Sequence, residues 1–318
     1  MIPDLSAFDT AAEIDRICEF LRRSLRKLNR RGLVVAVSGG IDSAACAALA
    51  VRAVGVNRTY GVLLPERDSS ASSNDRGEEV VRALGIAWER QDIESALEAI
   101  GCYRARDDAI REVVPNYQPD WAHKILLRRR NDTGVNRFVL IVKPPQGLEQ
   151  EHALPLKPYL KIVAATNYKQ RLRKSIEYFH GDRLNYAVVG TPNRVEYDQG
   201  FFVKNGDGAA DVKPIAHLYK TQVYALCRAL GLPESVQQAT PTTDTYSLPQ
   251  TQQEFYFPLP YEQMDKALWA FDQGLSVEEL AHSLTLPTEK AMAVYSDIKQ
   301  KRRTTAYLHA PAALLEAG

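Results

Sequence analysis

The feature that most constrains this chain is a junction near its start, where the apolar run Leu33-Val34-Val35-Ala36-Val37 stops at Ser38-Gly39-Gly40 and Ile41-Asp42-Ser43 leads into an Ala-rich stretch. An uninterrupted apolar run has no position to turn toward water, which is the pattern of a strand covered on both faces in a parallel sheet. Helical spacing resumes over 43–54, so the chain must turn sharply between the two elements. Two glycines let backbone N–H groups approach an anion with no Cβ in the way. The hydroxyls of Ser38 and Ser43 add donors, and the helix start adds a positive dipole end. These residues predict a pyrophosphate cradle. No Gly-Lys-Ser/Thr follows, so the pattern is not a Walker loop, and Asp42 supplies a carboxylate suited to Mg²⁺. An ordinary strand-to-helix turn draws on the same residue types, so the rest of the chain must decide.

The alternation recurs. An amphipathic helix over 8–28 precedes the junction, strands at 60–64 and 87–90 alternate with helices at 77–84 and 93–100, and a helix at 169–180 leads to a strand at 185–190. A helix over 220–230 ends at Gly231, with Pro233 beyond. Strand and helix in succession predict an α/β fold built on a doubly wound parallel sheet. Between 102 and 165 the rhythm fails at Pro115, Pro119, Pro144, Pro145, Pro155 and Pro158. That interval reads as an insertion, with a strand at 137–142 and an extended loop over 144–158 that would form a lid or a partner surface. Its basic run at 124–130 reads as a solvated helix face rather than a polyanion site. From about 260 the chain reads as helical, over 261–271, 276–283 and 287–302.

Charge narrows the function classes. Lys+Arg 40 against Asp+Glu 39 leaves +1, which gives no overall field for a nucleic-acid or membrane partner. Cys18, Cys46, Cys102 and Cys227 are far apart with no C-x-x-C pair and read as reduced thiols, and the histidines never fall at metal-ligand spacing. The start lacks the basic and apolar blocks of a signal peptide, and no run of about 18 apolar residues exists, so a soluble, cytoplasmic protein is expected.

A second block is Gly190-Thr191-Pro192-Asn193-Arg194-Val195-Glu196, followed by Gly200-Phe201-Phe202-Val203-Lys204-Asn205-Gly206-Asp207-Gly208-Ala209-Ala210-Asp211, Pro214 and Leu218-Tyr219-Lys220-Thr221-Gln222-Val223. With the S-G-G-x-D-S turn, the chain resembles the PP-loop ATP pyrophosphatases, which split ATP between its α and β phosphates. Within them it resembles the ammonia-dependent NAD synthetase family, whose G-T-x-N-x-x-E, G-x-x-T-K-x-G-D-G-x-x-D and L-x-K-x-Q-V blocks come in this order at near-identical spacing. Asn167-Tyr168-Lys169-Gln170-Arg171-Leu172-Arg173 is similar to its N-x-K-x-R-x-R helix start, Pro241-Thr242-Thr243-Asp244 to its P-[ST]-A segment, and Lys301-Arg302 to its C-terminal basic pair. The resemblance covers most of the chain outside the insertion. It implies an adenine nucleotide alpha hydrolase-like, Rossmann-like sheet with a helical C-terminal part, in one domain with no glutaminase attached.

The resemblance also implies roles. Ser38, Gly39, Gly40, Asp42 and Ser43 would hold the β and γ phosphates of ATP, with Arg173, Thr191, Lys220 and Thr242 also facing the nucleotide. Asp42 and Glu196, with the Thr242 hydroxyl, would ligate Mg²⁺. Asn167, Arg171, Phe201, Lys204 and Asp207 would contact the dinucleotide or shape its pocket, and Lys301 would close over the reaction centre. The implied reaction joins deamido-NAD, ATP and ammonia to give NAD, AMP and pyrophosphate, in a homodimer, with ammonia arriving free or from a separate glutaminase subunit. The physics is consistent: a carboxylate attacking the α-phosphate brings anions together, so a cation and lysines must offset the repulsion. Ammonia then attacks the acyl-adenylate while a nearby carboxylate, Asp207, takes the surplus proton.

The departures from the family pattern all fall where a substrate would be read. They are the insertion, Pro192, the segment 246–257 with its aromatic residues Tyr246, Phe255, Tyr256 and Phe257, and Gln300 in place of the family's histidine. Those aromatic residues serve either a pocket for another substrate or the packing of the C-terminal helices. One of Phe201 and Phe202 is expected in the core. The alternative function is therefore an amide ligase of the same chemistry acting on a different carboxylate. An RNA-modifying relative would show a catalytic cysteine pair and a basic appended domain, and a non-catalytic scaffold would have lost Asp42, Glu196 or Lys220.

Overall fold

The computed structural model describes residues 2–129, 136–241, 245–250 and 256–315. In chain order the elements are α1 (Thr10–Leu28), β1 (Leu33–Ala36), α2 (Ile41–Val54), β2 (Thr59–Leu63), α3 (Ala71–Ala83), β3 (Ala87–Arg90), α4 (Glu94–Ala99) and α5 (Cys102–Arg111). Then come β4 (Ala122–Arg129), β5 (Asn136–Lys143), β6 (Gln150–Ala153), α6 (Leu156–Leu184), β7 (Ala187–Val189), α7 (Arg194–Asp198), α8 (Lys220–Ala229) and α9 (Glu234–Gln237). The chain closes with α10 (Tyr261–Asp272), α11 (Val277–Leu284) and α12 (Thr288–His309).

The apolar run at β1 lies inside a four-stranded parallel sheet of order β3-β2-β1-β7, with Val34 opposite Tyr60 on one side and Val188 on the other. Helices cover both faces. On one, α1 buries Ile14, Ile17, Leu21 and Leu25 against the Ala-rich α2, whose small side chains are buried almost all round and allow close packing. On the other, Leu172, Ile176 and Leu184 of α6 pack with Val34 and Val62. Helix α6 runs 29 residues, far beyond the 169–180 that periodicity marks, because its N-terminal half projects past the carboxyl edge of the sheet and packs on the second sheet instead.

That second sheet is antiparallel, of order β4-β5-β6, and falls inside the interval read as an insertion. The basic run at 124–130 is strand β4 rather than a helix face, with Arg130 outside the described residues. Ile125, Leu140 and Val142 face Ile162 of α6 and Tyr246, while Leu126, Val139 and Ile141 face Leu248, so both faces are covered and neither shows amphipathic alternation. Likewise the expected loop over 144–158 contains β6 and the start of α6. The segment 245–250 straps β4: the Leu248 N–H donates to the His123 carbonyl at 3.0 Å, and the His123 N–H donates to Ser247 Oγ at 2.9 Å. The C-terminal helices form a separate core around Met264, Leu268, Leu280, Val294 and Ile298, joined to α7 and α8 through Val195 and Tyr219.

One buried charge network joins these parts. Lys169 Nζ donates to Glu66 Oε1 at 3.1 Å, Asp68 Oδ2 at 2.6 Å and the Thr245 carbonyl at 2.9 Å. Arg106 of α5 donates to Asp68 at 2.9 Å and Tyr103 OH to Glu66 at 2.9 Å. Removing one partner from such a network strands the rest in low dielectric. Lys169→Met should therefore lower unfolding free energy by about 3–5 kcal/mol in urea titration. A loss below about 1 kcal/mol would mean that water reaches the carboxylates.

Candidate active site

The turn after β1 joins a buried strand directly to the start of α2. Gly39 sits at φ 79°, where a side chain is strained, and a Cβ there would lie 2.1 Å from the Ser73 carbonyl oxygen of α3. Gly40 occupies the N-cap of α2. Ser43 Oγ donates to the Gly40 carbonyl at 2.9 Å and accepts the Ser38 N–H at 3.2 Å, which fixes the turn and leaves its open side toward a cavity.

Asp42, in the first turn of α2, faces two other helix starts. The Lys220 ammonium at the start of α8 pairs with Asp42 Oδ2, and Asn193 Nδ2 donates to Asp42 Oδ1 at 3.3 Å. Asn193 is also the N-cap of α7: its side chain accepts the Glu196 N–H at 3.2 Å, and its own N–H donates to Glu196 Oε2 at 3.1 Å. One asparagine thus holds both carboxylates. Burial, then the neighbouring Asp42 charge, push the Glu196 carboxyl up to about 8 against the opposing Lys220 charge. Burial pulls the Lys220 ammonium down, but Asp42 and Glu196 outweigh it, so Lys220 stays protonated. Helix α8 is itself anchored from below, since buried Asp265 of α10 accepts the N–H groups of Lys220 at 3.2 Å and Thr221 at 2.8 Å.

A cavity of about 830 Å³ opens over this cluster. Ser38, Gly40, Asp42, Ser43, Arg173, Thr191, Glu196 and Lys220 line the end of it nearest the turn, and Gly39 forms the back of the turn. Arg173 is held by the Leu64 carbonyl at 3.1 Å, one residue past β2. Asn167, Arg171, Phe201, Lys204, Asp207 and Lys301 line the same cavity. Thr242 and Phe255 lie outside the described residues.

Several of these side chains also have structural partners. Asp207 Oδ1 accepts the Val203 N–H at 2.8 Å, and burial raises its carboxyl against that hydrogen bond and the Lys174 charge. Lys204 Nζ donates to the Tyr307 and Ala310 carbonyls at 2.7 and 3.1 Å, clamping the end of α12. Lys301 donates to the Tyr256 carbonyl at 2.5 Å and pairs with Asp297 at 2.9 Å. Both Phe201 and Phe202 line the cavity, and Phe201 packs on Tyr256 with ring centroids 4.7 Å apart. Of the other aromatic residues, Tyr246 and Tyr256 line the cavity and Phe257 joins the C-terminal core, so both expected uses occur. Gln300 accepts from Arg303 at 2.8 Å and is exposed.

Sequence reasoning missed the buried pair Lys174–Glu177 at 2.6 Å on the cavity wall, and Arg76, whose Nε donates to the Gly39 carbonyl at 3.2 Å. It also missed Asn193 and Asp265 as organisers. An Asn three residues before a Glu is a capping signature that was legible for Asn193. Nothing local marks Asp265, whose role arises only when α10 docks.

A parallel sheet whose first turn sets glycine backbone and a helix start at its carboxyl edge, beside paired carboxylates and a buried lysine, is the arrangement of a nucleotide-binding α/β protein. The sequence model of the NAD synthase family matches residues 13–125 and 139–305, and the chain belongs to that family. It is 53% identical over 307 residues to an NH(3)-dependent NAD(+) synthetase from Rhizobium meliloti, covering 96% of this chain and 92% of that one. It is 32% identical over 289 residues to the protein of the same name from Thermotoga neapolitana, covering 91% and 93%. Among solved structures it is similar in fold to an NMN synthetase from Francisella tularensis, at TM-score 0.68 and 22% identity over 98% of this chain and 100% of that one.

Burial raises the Asp265 carboxyl from 3.8 to about 6, against the N–H groups that favour its charge. A folded value above the unfolded one gives a stabilising contribution that is full below pH 3.8 and lost as pH rises through about 6. Asp265→Asn should flatten the decline of unfolding free energy across that window. An undiminished slope in the variant would assign the decline to another group.

Proposed function

We infer that the protein is an ammonia-dependent carbon–nitrogen ligase that adenylates deamido-NAD with ATP, releases pyrophosphate, and aminates the acyl-adenylate to give NAD and AMP. The observation that carries this reading is one cavity shared by the phosphate-cradling turn, the Asp42–Lys220–Glu196 cluster and the Asn167-to-Asp207 substrate set, in a chain 53% identical to a protein named for that reaction.

The turn at 38–43 grips the phosphates that leave together, through backbone N–H groups and the Ser38 and Ser43 hydroxyls. Lys220, held protonated, supplies charge for the departing pyrophosphate. Arg173 is fixed by the Leu64 carbonyl at the sheet edge beside the nucleotide. Asp42 and Glu196 suit a divalent cation: they are two carboxylates sharing Asn193, and burial, then the neighbouring Asp42 charge, raises the Glu196 acid. So small a protein donor set matches the habit of Mg²⁺, which keeps phosphate and water ligands. When bound, Mg²⁺ offsets the repulsion between the incoming carboxylate and the triphosphate. Asp207, a buried carboxylate raised above its ordinary range, takes the proton released as ammonia forms the amide.

A homodimer is part of this reading. Leu156, Leu160, Tyr168 and Phe179 of α6 are exposed apolar side chains spread along the helix, surface suited to burial against a symmetric partner. No helix among the described residues is long and apolar enough to cross a membrane.

Purified protein given ATP, Mg²⁺ and ammonium should release AMP with deamido-NAD in preference to other carboxylates. NAD absent beside brisk turnover of another acid would sink the substrate assignment, and ADP in place of AMP would sink the chemistry. Asp42→Asn should cut AMP release by at least about 100-fold with an unchanged circular dichroism spectrum.

A further inference from the structure

The cavity is longer than its phosphate end needs. Helix α6 lines it from Tyr159 to Glu177. Arg173 marks the carboxyl edge of the sheet through its bond to the Leu64 carbonyl. Tyr159 lies fourteen residues earlier on the same helix. At about 1.5 Å per residue this places it roughly 20 Å beyond the level of the phosphate turn.

There the wall changes character. Phe138 of β5 and Tyr159 stack with ring centroids 3.9 Å apart and planes 15° from parallel, and both half-buried rings line the cavity. Leu127, the cross-strand partner of Phe138 on β4, lines it beside them. The rings sit on a firm base, since Ile125, Leu140, Val142 and Ile162 behind them are buried in one cluster. Leu127 and Phe138 both fall within residues 126–138, the interval the family model leaves unmatched. Those two residues therefore lie outside what the chain shares with that model, while Tyr159 lies inside the matched interval.

We propose that the stacked Phe138–Tyr159 pair, with Leu127, is the subsite for the adenine ring at the far end of the dinucleotide substrate. The inference rests on the functional reading above. The reacting carboxylate is on the pyridine ring and must reach the α-phosphate of ATP near the turn, so the pyridine half lies at the Asp207 end. The adenosine half of an extended dinucleotide then projects away from the sheet edge along α6, toward the only kind of surface that reads a nucleobase without regard to its hydrogen-bonding edge, a flat aromatic face. Two rings already stacked and backed by a packed core are preorganised for it.

The test compares Michaelis constants. Tyr159→Ala and Phe138→Ala should each raise KM for deamido-NAD roughly tenfold, as loss of one base-stacking contact does, while KM for ATP stays within about twofold. Tyr159→Phe, which keeps the ring, should restore the original KM. The inhibition constant of nicotinate mononucleotide, which lacks the adenosine half, should be unchanged in all three variants. An unchanged KM for deamido-NAD, or an equal rise for ATP or for the mononucleotide, overturns the subsite and leaves the reaction standing. Failure of the unaltered enzyme to use deamido-NAD at all removes the functional reading and the subsite together.

Discussion

The structure depends on holding two carboxylates and a lysine together where three helices begin. Asp42, Glu196 and Lys220 lie in the first turns of α2, α7 and α8, and Asn193 hydrogen-bonds to both acids. Without compensation, burying like charges side by side is unfavourable, and the raised Glu196 acid records that strain. Three features offset it: the Lys220 ammonium, the donors of Asn193, and the helix starts, whose free N–H groups favour negative charge. The same arrangement places groups that favour a cation and groups that favour an anionic acceptor at one point. Much of the remaining architecture serves to bring those three helix starts to the carboxyl edge of one sheet. Asp265, reaching up from α10 to the first N–H groups of α8, shows that even the C-terminal helices take part.

Helix α6 does a second job. Its C-terminal half belongs to the sheet layer, and its N-terminal half carries the cavity outward to the antiparallel sheet β4-β5-β6. Lys169 sits between the halves, tying the end of β2 and the strap at 245 to the helix through Glu66, Asp68 and the Thr245 carbonyl. A buried lysine with three oxygen partners fixes direction more strictly than apolar packing would, because each bond is lost if the helix slides. The length of the cavity is thereby set by a rigid element.

The chemistry-bearing part was legible because its signals are local. Backbone freedom at Gly39, a hydroxyl at Ser43 and a helix start at Ile41 are adjacent in sequence and interpretable there, and β1 reads as buried because every side chain in the run is apolar. The parts misread depend on distant partners. Strand β4 reads as a helix face because Ile125, Leu126 and Leu127 are consecutive, a pattern that fits a strand only when Leu248 covers one face and α6 the other. Periodicity marks only part of the C-terminal half of α6, since each half packs on a different neighbour and no single apolar stripe runs its length. Lys174 follows Arg173 directly, yet about 100° of helical rotation turns it toward Glu177 and a different part of the wall.

This division between local and distant signals matches a division of labour. Activating a carboxylate needs the same few groups whatever the acid, so they can sit in one turn and three helix starts. Recognising which acid has arrived needs surface at the distance where its non-reacting half ends, and that surface must come from elsewhere in the chain. Here it comes from a hairpin and the outer turns of α6, held in place by Tyr246 and the 245–250 strap. Ring surface placed there acts on binding and leaves the reacting groups untouched, because the two are separated by about fourteen residues of helix. Binding energy gathered at that remote end can be used to align the carboxylate at the near end, which is how distance from the chemistry becomes useful to it.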